Sequence, residues 1–250
     1  MIFMHLDGDF MGKVEINKHF LIAVFLIIVF SVGFVYSKNS TEVEFKKLPV
    51  NTFKKSDIEN NIKEASKNEI IIIGDSRFKH IIRERKKYNI PTNFNFIAKS
   101  STDVKWFIET AEPKLRTILG NKETNKKYYV VTNMGVNDIQ YYRPFDDSIN
   151  AYIEEYAKLI NDYPNVEFYM LSINPIVEKK LIITQPENVR TNEDIEYFNK
   201  KLINFSKNNR IKYCNSYDGL TFNTDDGIHY TEETNQEILD YIFYSCVNLQ

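Results

Sequence analysis

At 250 residues, with a net charge of −2 and 26% charged residues, the chain is long enough for one full-sized core once its N-terminal segments are set aside. A charge balance this near zero gives no electrostatic pull toward nucleic acid. There is no HExxH, no Cys/His zinc spacing and no phosphate-binding glycine-rich loop, so neither a metal nor a cofactor has support.

Residues 1–19 form an N-terminal tail, with Met11 as an alternative start. Phe20 to Tyr36 then runs seventeen residues without a charge, about 26 Å as a helix, and is read as a retained transmembrane signal-anchor. Residues 1–19 hold two lysines and residues 37–55 hold five, a count that would keep the large domain inside. Long domains translocate largely regardless of nearby charge, so the count leaves orientation open. Residues 37–66 read as a polar linker ending in a lead-in helix, N-capped by Ser56 and marked by Ile58, Ile62 and Ala65.

From residue 67 onward strands and helices alternate. The run Ile70 to Ile73 predicts a central strand over 69–74, buried on both faces, followed by a helix over 77–88. Further strands are expected at 93–98, 128–132, 166–173 and 211–214. Helices are expected from Thr102 to Leu119 with an interruption near Pro113, around Ile149–Ile160, around Ile195–Phe205, and from Thr231. Residues 176–190 read as a loop long enough to shape a substrate site. Regular alternation of this kind predicts a five-stranded parallel sheet with helices on both faces. Cys214 and Cys246 are read as small apolar residues at a strand end and on a helix, since neither their number nor their spacing implies a disulfide.

In an open α/β sheet, sites form beyond the carboxyl ends of the strands. Ser76, Ser100-Ser101, Asn137 and Asp225 to His229 all meet that condition. A serine hydroxyl needs a base. His5 and His19 precede the membrane run, and His80, four residues after Ser76, reads as a surface residue, which leaves His229. Asp226 is spaced to orient the imidazole, with Asp225 ranked second. Asn137 and the backbone amides of Ser76 and Ser101 are candidate oxyanion donors. Arg77 is a candidate ligand for an anionic substrate group, and Trp106 divides evenly between lining the site and joining the core.

Gly74-Asp75-Ser76, Gly135-Val136-Asn137-Asp138 and Asp226-Gly227-Ile228-His229 resemble, in order and spacing, the first, third and fifth blocks of the SGNH/GDSL hydrolases over about residues 67–248. The resemblance implies a flavodoxin-like three-layer α/β/α sandwich. It also implies Ser76 as nucleophile, His229 as base and Asp226 as its orienter, with an oxyanion hole built from Ser76, Ser101 and Asn137. The sequence departs from the family at Ser101, where glycine is usual. The reading that follows is an extracytoplasmic, membrane-anchored serine esterase or O-acyltransferase, acting on an acylated carbohydrate or another small ester. A catalytically weak SGNH-like domain that binds glycan or protein at the cell envelope is the alternative.

Overall fold

Four consecutive β-branched residues leave a strand no polar face. Accordingly, β1 (Asn68–Gly74) runs through the middle of the sheet, with Ile70, Ile71, Ile72 and Ile73 all at 0% exposure. The computed structural model describes residues 68–247, apart from 91, 124, 143 and 183–188. The expected tail, the 20–36 membrane segment and the 37–66 linker with its lead-in helix therefore lie outside the described residues. Among the described residues no helix is long and apolar enough to cross a membrane.

The other strands are β2 (Phe94–Ala98), β3 (Lys127–Asn133), β4 (Val166–Leu171) and β5 (Ile211–Cys214). All pair in parallel, in the order β2-β1-β3-β4-β5. Gly74 sits opposite both Ala98 and Asn133, so the carboxyl ends of the three strands that lead toward Ser76, Ser101 and Asn137 finish level.

The helices are α1 (Ser76–Arg83), α2, α3 (Val136–Tyr141), α4 (Asp146–Asp162), α5 (Asn192–Lys207), α6 (Ser216–Gly219) and α7 (Glu232–Asp240). The α2 run is assembled from Val104–Trp106, a π-helical turn at Phe107–Ala111, and Glu112–Gly120. A second π-helical segment, Tyr241–Val247, continues α7. Alternate isoleucines of β1 face opposite layers. Ile71 and Ile73 pack with Phe107, Leu115, Tyr152, Leu159 and Phe198 of α2, α4 and α5, whereas Ile70 and Ile72 pack with Phe78, Ile81, Leu239 and Phe243 of α1, α7 and its continuation. Handedness explains the division. The β1-to-β2 crossover moves one way along the sheet and the later three move the other way, so right-handed connections place their helices on opposite faces.

One expectation is met in detail and two need correcting. The run is interrupted just before Pro113, where a new α segment begins. The π turn lets the Glu112 N–H reach back to Phe107 O, and Pro113 then occupies the first turn of the following α segment, where its missing N–H costs nothing. The helix expected over 77–88 ends at Arg83, and a 3₁₀ turn, Arg85–Lys87, follows it. The two cysteines do stand at a strand end and in a helical segment, but they are joined in a disulfide, with Cα atoms 5.5 Å apart. Thirty-two residues of separation concealed a pairing created by docking the last helix onto the sheet.

Candidate active site

Ser76 opens α1 at the carboxyl edge of the sheet. Asp75 caps this helix, its Oδ1 accepting the Arg77 N–H at 2.9 Å, and the Ser76 N–H stays outside the intrahelical ladder. Burial pushes the Asp75 carboxyl above its ordinary pKa, against the pull of the Arg77 charge and the Arg77 N–H.

The Ser76 Oγ lies 2.9 Å from His229 Nε2, and His229 Nδ1 lies 2.6 Å from Asp226 Oδ2. Asp226 Oδ1 accepts the backbone N–H groups of Ile228 at 2.9 Å and His229 at 2.8 Å. Burial raises the Asp226 pKa, but the bond from the His229 ring and the two backbone bonds outweigh it and hold the carboxyl at about 2. Asp225, ranked second from the sequence, is exposed. The turn that swings both side chains toward Ser76 depends on Gly227, at φ +90°. A Cβ there would meet Val177 O at 2.9 Å and Leu181 Cδ2 at 3.0 Å.

Arg77, the candidate ligand for an anionic group, turns inward. It is 3% exposed, its Nη1 donates to Asn174 O at 3.0 Å and its Nε to Ile228 O at 3.3 Å, and the guanidinium covers the Tyr230 ring at 4.9 Å. These contacts tie the helix that Ser76 opens to the loop after β4 and to the turn that carries His229. Ser172, Ser216 and Asn174 close the same junction with mutual side-chain hydrogen bonds.

His80 is no bland surface residue either. Its ring stacks on His229, with centroids 4.2 Å apart and planes 9° from parallel. Burial, followed by the His229 and Arg83 charges, lowers its pKa, which favours a neutral ring against the base. The i, i+4 spacing from Ser76 was the available signal, because it places His80 one turn along the same helix face.

Asn137 lies in the first turn of α3, behind Gly135 at φ +120°, where a Cβ would strike Ile173 Cδ1 at 2.5 Å. Its Nδ2 donates to Thr102 O and its Oδ1 accepts from Arg190 Nη2, both at 2.8 Å. Arg190 Nε also donates to Val136 O at 2.8 Å. Nothing local in the sequence points to Arg190, which sits in the loop before α5, 53 residues from Asn137. Burial, followed by the Arg77 charge, works against its ionised form.

Ser101 holds φ +55°, among the described residues the one non-glycine residue at positive φ. A glycine reaches this conformation freely, whereas an L-residue pays about 1–2 kcal/mol, so serine retains the backbone shape that glycine would supply. Trp106 is half-buried and packs against the core layer of α2, α4 and α5. Among the described residues no group of three or more His, Cys, Asp or Glu side chains is placed to hold a metal ion.

Asp138, the last residue of the third block, faces inward at 0% exposure, its Oδ1 accepting the Val104 N–H at 2.9 Å and its Oδ2 bonding the Tyr152 hydroxyl at 3.3 Å. Burial raises its pKa to about 7 against the Val104 bond. A carboxyl whose folded pKa exceeds its unfolded value near 3.9 stabilises the fold most below that value, and the contribution fades as pH rises toward 7. Asp138→Asn is therefore expected to remove a pH-dependent loss of stability, on the order of a few kcal/mol, between pH 4 and 7. Urea denaturation of both proteins across that range checks this, and parallel pH curves would refute it.

Residues 64–242, well over half of the chain, match the family described as GDSL-like Lipase/Acylhydrolase. Among solved structures, a Streptococcus pneumoniae protein assigned as a platelet activating factor is 17% identical, with TM-score 0.56, covering 90% of this chain and 99% of its own. A Bacteroides fragilis protein assigned as an acylhydrolase is 13% identical, with TM-score 0.55, covering 79% of this chain and 100% of its own. Est24, a carbohydrate acetylesterase from Sinorhizobium meliloti, is 14% identical, with TM-score 0.53, covering 74% of this chain and 100% of its own. No curated protein matches the chain at the sequence level. At these identities the solved structures speak to the shared fold, while the family match spans the sheet and all three blocks: the chain belongs to the GDSL-like lipase/acylhydrolase family and is a serine hydrolase.

Proposed function

We propose that the protein is a membrane-anchored, extracytoplasmic esterase or O-acyltransferase that carries the acyl group of a carbohydrate ester, or of another small ester, on Ser76. The observation that carries the reading is the continuous hydrogen-bonded line from Ser76 Oγ through His229 to Asp226. As Oγ bonds to the ester carbon, its proton passes to His229 Nε2, and Asp226, ionised throughout, stabilises the imidazolium. Collapse of the tetrahedral adduct breaks the ester C–O bond, and the departing alcohol takes the proton from Nε2. Water then releases the acid by the same route, or a sugar hydroxyl accepts the acyl group. The Ser76 and Ser101 N–H groups and the Asn137 side chain are assigned to the developing oxyanion.

The Cys214–Cys246 disulfide supports an oxidising compartment, and the uncharged run at 20–36 supports the anchor. The carbohydrate assignment leans on a fold shared with Est24, described as a carbohydrate acetylesterase. The serine at position 101, held at φ +55° where the family's pattern has glycine, keeps a binding-only domain as the second reading.

A fluorophosphonate probe separates the two. The full-length protein is expected to be labelled, and Ser76→Ala to abolish labelling while retaining the wild-type unfolding transition. A folded wild type that does not react leaves the binding domain as the better account.

A further inference from the structure

An amide serves an oxyanion only through its nitrogen, so the direction in which the Asn137 side chain faces decides whether it can act at all. Two groups of fixed character hold it. The Arg190 guanidinium has donors only and stands 2.8 Å from Oδ1, while the Thr102 carbonyl accepts only and stands 2.8 Å from Nδ2. Turning the amide over would set donor against donor and acceptor against acceptor. The unflipped amide has one N–H on Thr102 and a second N–H available for substrate.

Arg190 is itself held. Its Nε grips Val136 O at 2.8 Å, so one guanidinium spans the backbone and the side chain of consecutive third-block residues. It directly precedes Thr191, the N-cap of α5. The next residue, Asn192, clamps the other end of the loop, accepting the Ile176 N–H at 2.9 Å and donating to Ile176 O at 3.0 Å. The charges of Arg77 and Asp75 both act on the Arg190 guanidinium.

We propose that Arg190 is the positioning residue of the oxyanion hole, acting through Asn137: its two-pronged grip keeps the Asn137 nitrogen turned toward the acyl carbonyl. This rests on the reading of Asn137 as an oxyanion donor. Lysine at 190 preserves the charge but offers a single ammonium where the geometry requires two diverging N–H groups.

The test is a double-mutant cycle in the full-length protein, with p-nitrophenyl acetate turnover and the rate of fluorophosphonate labelling as readouts. Arg190→Ala and Arg190→Gln are expected to lower kcat about 10–100-fold, with KM changed less than about twofold. Arg190→Lys should recover only part of the loss. In the Asn137→Ala background, removing Arg190 should cost less than about twofold, because the amide it orients is already gone. Unfolding midpoints confirm that the variants fold, and the glutamine variant serves if alanine does not. Undiminished kcat in every Arg190 variant, or an Arg190 effect that persists in full without Asn137, overturns the proposal while Ser76-dependent labelling leaves the hydrolase reading standing. A wild type that neither labels nor turns over, or an Asn137→Ala variant with full kcat, overturns the underlying reading, and the proposal with it.

Discussion

Replacing Asp226 with asparagine is expected to lower kcat about 10⁴-fold with the fold intact. The carboxylate does two things that an amide cannot. In the proposed triad it accepts a hydrogen bond from the Nδ1–H of His229 at 2.6 Å, leaving Nε2 toward Ser76 as the acceptor, and would stabilise the imidazolium formed as Oγ attacks. An asparagine that kept the two backbone bonds from Ile228 and His229 through its oxygen would turn its NH₂ toward the ring, favouring the wrong tautomer. Asp225→Asn, in the same turn, is the control and is expected to keep turnover within about twofold of wild type, since it is Asp226 whose carboxylate bonds the His229 ring. Steady-state kinetics on an aryl acetate decide the matter, and a loss found at Asp225 instead would reverse the assignment. The pH dependence has a definite sign. With its carboxyl held at about 2, Asp226 favours the fold above its unfolded pKa near 3.9, and that contribution disappears as pH falls through 2. Wild type and Asp226→Asn should therefore differ in the slope of stability against pH below about 4 and run parallel above it.

Breaking the Cys214–Cys246 bond is expected to cost about 2–4 kcal/mol of stability. The bridge closes a loop across 32 residues of separation, and the loop-entropy estimate for that length is about 3–4 kcal/mol. Within this loop lie Asp226 and His229, together with α7, whose Ile238 and Leu239 cover Ile70 and Ile72 of the central strand. Loss of the bridge should therefore lower the unfolding temperature and carry the temperature of half-inactivation down with it, although neither sulfur belongs to the site. Thermal denaturation of a Cys214→Ser/Cys246→Ser variant, with residual activity followed in parallel, tests this. Two freely alkylating thiols in the native protein, or midpoints unchanged by the substitution, would show that the bridge does not support the fold.

Much of the molecule could be read in advance because its signals are local. Ile70 to Ile73 could satisfy themselves only in a strand covered on both sides, and the helix stripes from Ile149 and Ile195 fell where α4 and α5 lie. Pro113 marked the first turn of a new α segment, where its missing N–H costs nothing, but the π turn before it is not written in apolar periodicity. The short α3 also went unseen, since Val136–Tyr141 spans less than two turns and yields no stripe. The direction of Arg77 was not legible for another reason. Adjacency to a nucleophile in sequence says nothing of direction, and on a helix start the next residue points away, here into the carbonyls of Asn174 and Ile228.

By itself the sequence determined the sheet, its helices and the identity of the four turns at its carboxyl edge, because strand and helix periods and turn chemistry act over a few residues. Only the tertiary structure decided what those turns do to one another: Arg190 fixing the Asn137 amide, His80 lying on His229, Arg77 locking two loops to one helix, and Cys214 reaching Cys246. Each joins groups set by packing rather than by chain spacing. All four span between 32 and 151 residues, a distance at which one chain's residue pattern carries no record of direction.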